Sequence, residues 1–97
     1  MEYKEKVIEP GKQGILRMVL EKLRLSAEDK TDKFSYANEE SFYYVIDGYG
    51  LLEVDEYGYA LEPQHSIYIP PNTLHSIQNS GESELLLLRY GARENSC

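Results

Sequence analysis

Residues 64–79, QHSIYIPPNTLHSIQN, are the stretch from which the architecture of this chain can be inferred. The stretch contains both histidines of the sequence. A short apolar segment, residues 66–69, leads into a Pro-Pro-Asn-Thr turn, and the segment after the turn carries His75, Ile77 and Asn79 on one face at a period of two. This pattern predicts two short β-strands joined by a turn, with His75 directly after the turn.

Length and composition indicate one globular domain. The chain has 97 residues, of which 41% are hydrophobic and 28% are charged, so we expect a single domain over residues 1–97. The net charge of -7 argues against binding of nucleic acid or of a membrane surface, because both require Lys and Arg to neutralise phosphate. The single cysteine, Cys97, is the last residue, so no internal disulfide is expected. No run approaches the roughly 20 apolar residues of a membrane span, and we expect a soluble cytoplasmic protein.

Short strand patterns separated by turn signals account for most of the chain. Strand patterns occur at residues 3–8, 33–36, 42–46, 51–54, 59–61, 66–69, 75–79 and 84–90. Turn signals recur at a spacing of roughly 8–12 residues, which is typical of a β-sandwich or a small barrel. We expect an N-terminal strand or arm over residues 1–11 and a flexible tail over residues 92–97.

Residues 15–25, ILRMVLEKLRL, admit two interpretations. Several apolar residues have helical spacing, and the residue propensities favour a helix. The same letters also fit strands, with Met18 and Leu20 alternating before a bulge moves the pattern on to Leu23. We expect strands, because a lone helix would fit poorly among elements that are otherwise all β, although the local sequence leaves both open.

The four consecutive leucines at 85–88 stand out among the strand patterns. A continuous apolar run implies a strand that is buried on both faces. One face would lie inside a barrel and the other under a second sheet or a partner subunit. We therefore expect a homodimer.

From residue 35 to about residue 90 the chain resembles the cupin family of small β-barrels. The second sequence motif of that family runs glycine, five residues, proline, one residue, glycine, two residues, histidine, three residues, asparagine. The five positions are occupied here by Gln64, Pro70, Asn72, His75 and Asn79. Three of the five match, and asparagine tolerates the left-handed backbone that glycine supplies. The resemblance implies an all-β fold with a single cupin-type antiparallel β-barrel, also called a jelly roll or double-stranded β-helix.

The first cupin motif is degenerate in this chain. In the family it carries two histidines one residue apart, then a glutamate, then a glycine. With Gly48 at the glycine, Ser41 stands at the glutamate, and Phe34 with Tyr36, or residues 35 and 37, stand at the histidines. The resemblance implies a metal held by three histidines and a glutamate, whereas the whole chain has two histidines. We therefore expect no metal at the usual site and no cofactor.

Several residues are candidates for chemistry inside the predicted barrel. His75 is the first of these, because imidazole can act as an acid, a base or a hydrogen-bond donor near neutral pH. In the cupin register Tyr43 faces inward together with His75 and Ile77. The predicted cavity would be lined by Tyr36, Tyr43, Glu53 and His75. Such a lining suits a sugar or another small hydroxylated molecule, while the alternative is that the tyrosines are core residues and His75 is a satisfied polar residue.

Carboxylates near His75 have two interpretations each. Glu53 alternates with Leu52, so it either faces solvent or is a buried acid opposite His75 that could serve in acid catalysis. A metal site could also be rebuilt from His75 with oxygen ligands from Glu39, Glu40 or Glu53.

The expected function is binding of a small molecule, such as a sugar or metabolite, near His75 and Tyr43 without the usual metal. One alternative is a metal-independent isomerase, epimerase or lyase that uses His75 as acid or base, paired with Glu53 or Tyr43. The other is a metal-dependent enzyme with a rebuilt site. The sequence alone does not distinguish binding from catalysis and does not name the ligand.

Overall fold

The computed structural model describes the backbone of residues 4–8 and, with side chains, residues 18–93. These residues form eight strands and contain no helix, so none of them belongs to a helix that could cross a membrane. The strands are β1 (Lys4–Ile8), β2 (Met18–Leu25), β3 (Glu39–Asp47), β4 (Gly50–Val54), β5 (Tyr57–Leu61), β6 (Ser66–Ile69), β7 (His75–Asn79) and β8 (Leu85–Arg93). The predicted all-β fold class is confirmed.

The strands form two antiparallel sheets that face each other. One sheet has the strand order β1-β2-β8-β3-β6, and the other has the order β5-β4-β7. Alternate side chains of both sheets meet in one core, because successive residues of a strand point to opposite faces. The core residues are Leu23, Leu25, Tyr43, Val45, Leu52, Leu61, Ile69, Ile77, Leu85 and Leu87. The result is a small barrel with an inner and an outer face on every strand.

The segment with two interpretations is a strand throughout its described part. β2 pairs with β8 in an unbroken antiparallel register. The predicted bulge is wrong, because burial alternates without a shift along the strand, at Val19, Glu21, Leu23 and Leu25. Leucine occurs on both faces of β2, which obscured the period of two in the sequence. The correct alternation places Glu21 inside the barrel.

The leucine run lies in β8. Leu85 and Leu87 are fully buried, whereas Leu86 and Leu88 face outward and are half-buried. No strand of the described residues covers this outer face, so a second sheet is not what buries it. The inner row of β8 continues from Leu87 to Arg89 and Gly91, both buried.

β8 extends further than the sequence predicted. Ala92 pairs with Met18 of β2 and with Glu40 of β3, and the strand ends at Arg93. The assignment of residues 92 and 93 to a flexible tail is therefore wrong, because both belong to a strand held between two neighbours. Residues 94–97 of that tail, and residues 1–3, 9–11 and 15–17 of the N-terminal predictions, lie outside the described residues.

Residues 33–36 do not form a strand of their own, contrary to the prediction. They meet β7 at a single bridge, where the backbone N–H of Phe34 donates to the carbonyl of His75 and the N–H of His75 donates to the carbonyl of Phe34, both at 2.9 Å. This bridge places Phe34 beside the first residue of β7.

Two turns that flank β6 use the left-handed backbone conformation. Gln64 has φ of 72° and Asn72 has φ of 61°, and these are the two positions at which the second cupin motif has glycine. The expectation that Asn72 substitutes for glycine is confirmed. The Asn72 N–H donates to the carbonyl of Tyr36 at 3.0 Å, so this turn also fixes the segment that carries Tyr36.

Candidate functional site

His75 and Tyr43 form a hydrogen-bonded pair that joins the two sheets, and each side chain is about 1% exposed. Nδ1 of His75 lies 2.8 Å from the carbonyl oxygen of Thr73, which can only accept, so Nδ1 carries the proton of the neutral ring. Nε2 then accepts a hydrogen bond of 2.7 Å from the Tyr43 hydroxyl. The turn before β7 thus selects the tautomer of His75 and makes Tyr43 the donor.

Two aromatic rings lie against His75. The ring centroid of Phe34 is 4.4 Å from that of His75, and the ring centroid of Tyr36 is 6.3 Å from it. Phe34 and Tyr36 contact each other edge to face at 5.5 Å. In one of the two registers considered for the first cupin motif, these residues stand at its two histidine positions, and there aromatic packing would occupy the place where the motif supplies metal ligands.

Arg89, which the sequence did not single out, lies beside this pair with 2% exposure. Its Nε donates to Glu21 Oε1 at 2.6 Å. Its Nη1 donates to Glu39 Oε1 at 3.1 Å and to Ser41 Oγ at 2.9 Å. Its guanidinium carbon is 3.5 Å from the ring centroid of Tyr36, in a cation–π contact. The interior of the barrel therefore contains a charged group with three of its five N–H donors hydrogen-bonded to side chains.

Strand register explains why these groups meet. On β8, Arg89 lies opposite Glu21 of β2 on one side and opposite Tyr43 of β3 on the other. A Cβ atom at Gly91 would lie 2.5 Å from Nη1 of Arg89, so only glycine leaves room for the guanidinium there. The polar groups form one row across the barrel, from Glu21 through Arg89 and Tyr43 to His75.

Burial makes the two phenols harder to ionise than an exposed tyrosine, which is itself neutral near pH 7. It raises the pKa of Tyr36 well above the ordinary value, against the opposing influence of Arg89. It also raises the pKa of Tyr43, and Tyr36 adds to that rise. Both hydroxyls are therefore neutral donors at physiological pH, and that of Tyr36 donates to Glu21 Oε1 at 3.3 Å. Burial alone would lower the pKa of Arg89, but Tyr36 and Glu21 hold it above its ordinary value, so the guanidinium stays charged.

The structure brings four of the five predicted site residues to the inner side of the barrel and excludes one. Tyr36, Tyr43, His75 and Ile77 lie there. Glu53 does not lie opposite His75, because it alternates with the fully buried Leu52 and faces outward.

Glu53 instead belongs to the outer surface of the β5-β4-β7 sheet. Its Oε1 is 3.2 Å from Nζ of Lys30. It lines an open pocket of about 450 Å³ together with Lys33, Asp55 and His75. This pocket contains charges of both signs, and His75 reaches it from the inner side with a side chain that is only about 1% exposed and bonded to Tyr43.

Asn79, the last position of the second cupin motif, has a structural role. Its Nδ2 donates to the carbonyls of Leu25 and Ser83, and its Oδ1 accepts from the N–H of Gly81. Asn79 therefore ties the turn after β7 to the end of β2 and does not reach the row of polar groups.

Arg89 and Glu21 are the site residues that sequence reasoning missed, and both carry a weak signal. Arg89 continues the inward row of Leu85 and Leu87 at a period of two, and Glu21 has the parity of Leu23. Two opposite charges on inward positions of separate strands predict a buried ion pair only when the strands are known to be neighbours.

Comparison with known proteins identifies the family. Residues 27–89 match the family model described as the cupin domain, which is more than half of the chain. The chain belongs to the cupin family. An uncharacterized protein of Methanocaldococcus jannaschii is 36% identical over 59 residues, which are 61% of this chain and 47% of that protein. The cupin chain thus spans about half the length of this curated relative.

Solved structures share the fold at low sequence identity. The protein TT1209 of Thermus thermophilus superimposes with a TM-score of 0.80 at 22% identity, covering 95% of this chain and 83% of that one. The cupin domain of Schizosaccharomyces pombe Cnp3 gives 0.83 at 11% identity, covering 94% and 64%. A cupin 2 conserved barrel domain protein of Salinispora arenicola CNS-205 gives 0.79 at 10% identity, covering 92% and 73%. At these identities the likeness concerns the cupin fold alone.

The residues of this cupin barrel do not fit the metal that the family resemblance implies. Among residues 4–8 and 18–93 no group of three or more His, Cys, Asp or Glu side chains is placed to hold a metal ion. Ser41 accepts from Arg89, and the two oxygens of Glu39 accept from Arg89 and Arg93. Of the carboxylates considered for a rebuilt site, Glu39 is engaged with arginines, Glu40 alternates with the buried Ser41 of β3, and Glu53 lies on the other face of its sheet, paired with Lys30.

Proposed function

We propose that this cupin domain binds a small neutral molecule rich in hydroxyl groups, such as a sugar or a related metabolite, without a metal. The ligand would lie beside the Tyr43–His75 pair, next to the rings of Phe34 and Tyr36 that contact His75. The observation that supports the proposal is the buried polar row from Glu21 to His75 in so small a core.

A buried row of polar and charged groups makes the folded state less stable than an apolar core of the same size would be. Replacing a buried ion pair by apolar residues of similar volume is often neutral or stabilising by about 1–4 kcal/mol. A core built for stability alone would therefore favour leucine over Arg89 and Glu21. Fixed donors and acceptors are what a binding site for a polar molecule requires, because they orient the ligand before it arrives.

The charges of the site favour a neutral ligand. The guanidinium of Arg89 is compensated by Glu21 and by Glu39, which is shared with Arg93. The site thus offers no uncompensated positive charge to an anion. Tyr36 offers an aromatic face for stacking against the apolar side of a sugar ring, together with a neutral hydroxyl.

A thermal-stability screen tests the proposal. A ligand that binds only the folded state raises the midpoint of unfolding, so we expect an increase with one class of sugar or polyol. Tyr36→Ala should abolish the increase, and Tyr59→Ala, which alters an exposed tyrosine of β5, should leave it unchanged. Absence of any increase across the panel, or an increase that survives Tyr36→Ala, would contradict the proposal.

A second candidate function is metal-independent acid–base catalysis, and the geometry of the Tyr43–His75 pair favours it. The Tyr43 oxygen can take a proton from a bound substrate while its own proton passes to Nε2 of His75, so no free phenolate forms. Tyr43→Phe should then remove turnover while binding persists, and the rate of the unaltered protein should depend on pH. Turnover that survives Tyr43→Phe would exclude this function.

A further inference from the structure

The side chains around Arg89 match the shape and the hydrogen-bonding pattern of a guanidinium group. Glu21 Oε1 accepts from Nε, while Glu39 Oε1 and Ser41 Oγ accept from Nη1. The acceptors therefore come from two strands on opposite sides of β8. A planar donor with several fixed N–H groups satisfies such a set, because it reaches acceptors on both neighbouring strands at once.

The faces of the guanidinium plane are also accommodated. The ring of Tyr36 lies against one face at 3.5 Å, a contact that stabilises a cation through the ring quadrupole. Gly91 leaves the space that a side chain would otherwise fill, because a Cβ there would approach the guanidinium carbon to 3.1 Å and Nη1 to 2.5 Å. Ser41, at the position of the glutamate in the first cupin motif, is small enough to accept from Nη1 at 2.9 Å.

We propose that the interior of this barrel is a receptor for a guanidinium group, which the chain fills with its own Arg89. The receptor consists of Glu21, Glu39, Ser41, Tyr36 and Gly91. Ser41 stands at the glutamate position of the first cupin motif, and Tyr36 stands at one of its histidine positions in one of the two registers considered. The barrel thus contains a permanent, covalently attached cation, and this cation excludes a divalent metal by repulsion and by occupying the carboxylates. The inference concerns Arg89 and does not depend on which ligand the domain binds.

Chemical rescue of Arg89→Ala tests the receptor. Removal of the side chain leaves Glu21 buried without its partner, so we expect a lower midpoint of thermal unfolding. Addition of 10 mM methylguanidinium, a concentration on the order of a hundredth of a denaturing one, should raise the midpoint of the variant by roughly 5 °C and leave the unaltered protein unchanged. If the variant is unfolded without additive, methylguanidinium should restore its folded circular dichroism spectrum.

Matched additives and a matched variant identify the cause of any rescue. Methylammonium carries the same charge without the planar donors, and Mn²⁺ represents a metal, so neither should reproduce the effect. Arg24→Ala removes an exposed ion pair with Glu84 and should not respond to methylguanidinium. Failure of methylguanidinium to stabilise or refold Arg89→Ala, or equal stabilisation by methylammonium or Mn²⁺, would overturn the proposal.

A measurement on the unaltered protein provides an independent test. The Nε–H proton of Arg89 is buried and donates to Glu21 at 2.6 Å, whereas the side chain of Arg24 is half exposed. Nuclear magnetic resonance should therefore show exchange of the Arg89 Nε–H with solvent at least about tenfold slower than that of Arg24. Equal exchange rates would mean that the guanidinium leaves its receptor readily, which would also overturn the proposal.

Discussion

Arg89 and Glu21 show how much a single buried pair of charges can determine in a small barrel. Both side chains are almost inaccessible, and their atoms approach to 2.6 Å. Each charge depends on the other, because either one alone would be buried in a medium of low dielectric constant. The pair therefore links the integrity of the core to the arrangement of Tyr36 and Ser41 around it.

Removing one member of this pair should destabilise the protein far more than replacing both members with apolar residues. We expect Glu21→Ala to lower the free energy of unfolding by about 3–5 kcal/mol, because Arg89 is then left without its main partner. The double variant Glu21→Leu/Arg89→Met should lose less than Glu21→Ala alone. Urea unfolding measures the free energy of unfolding of both variants. The exposed pair Arg24–Glu84 is the control, and its loss should cost no more than about 1 kcal/mol. A double variant less stable than Glu21→Ala would contradict the prediction.

The buried phenols should make the protein sensitive to alkali. Folding raises the pKa of Tyr36 and of Tyr43, chiefly by burial, above the value of about 10 in the unfolded chain. Below that pH both states hold the protons and stability is complete. Above it only the unfolded chain ionises, so stability falls as the pH rises towards the folded-state values.

Thermal unfolding measured from pH 8 upward checks that stability falls as the pH rises. The midpoint should fall above about pH 10, and Tyr36→Phe should make the fall shallower because one proton no longer contributes. Tyr57→Phe removes a tyrosine that is 68% exposed and should not change the slope. An identical slope in all three proteins would show that Tyr36 does not cause the alkaline transition.

At the scale of elements, the turns before and after β6 explain how the second cupin motif works in this chain. The residues at its two glycine positions, Gln64 and Asn72, both have positive φ. The second of these turns delivers His75 to the start of β7 with its ring facing Thr73 O and Tyr43. Asparagine tolerates this backbone conformation, but glutamine has no local hydrogen bond that favours it.

Replacing Gln64 by glycine should therefore stabilise the domain. Gln64→Gly relieves the strain of φ at 72° at the expense of chain entropy, and we expect a gain of about 0.5–1 kcal/mol in the free energy of unfolding. Gln78→Gly, in the middle of β7, should instead lose about 0.5–1 kcal/mol, because glycine weakens a strand. Urea unfolding gives the free energy of unfolding of each variant, which is compared with that of the unaltered protein. Loss of stability in Gln64→Gly would show that its side chain has an interaction worth more than the strain.

At the scale of the whole molecule, the outer face of the β1-β2-β8-β3-β6 sheet is unusually apolar. Phe42, Tyr44, Tyr68 and Tyr90 are between 40% and 47% exposed. The rings of Phe42 and Tyr68 lie 5.0 Å apart, so this is a continuous patch, and Leu88 lies on the same outer face of β8. The outer face of an antiparallel sheet is ordinarily polar.

We propose that a second copy of the chain covers this patch, as the leucine run led us to expect. A flat apolar face can pair with itself about a two-fold axis, and a stable dimer needs roughly 800 Å² from each partner. Light scattering after gel filtration should give the mass of a dimer. Tyr44→Lys should give the mass of a monomer, whereas Tyr59→Lys, on the other sheet, should leave the dimer intact. A monomeric mass for the unaltered protein would contradict the proposal.

Local sequence indicated most of the strands and the turn at Asn72, because a period of two and the backbone preferences of turn residues are properties of neighbouring residues. The inward direction of Tyr43, His75 and Ile77 came from the resemblance to the cupin family. The sequence also indicated, through Ser41 and the count of histidines, that the usual metal ligands of the family are not all present. It failed for Glu53, because alternation assigns a residue to a face without saying which face is inside.

The contents of the barrel were decided only by tertiary structure. Arg89 and Glu21 are 68 residues apart, and their contact depends on the register between β2 and β8. That register depends in turn on the joint burial of both strands, since a slip by one residue would turn every side chain to the opposite face. Spacing along the chain contains no information on such a pairing. The sequence therefore predicted that the usual three histidines and glutamate are not all present, because the chain has two histidines, and only the folded chain revealed a buried guanidinium beside Tyr36 and Ser41.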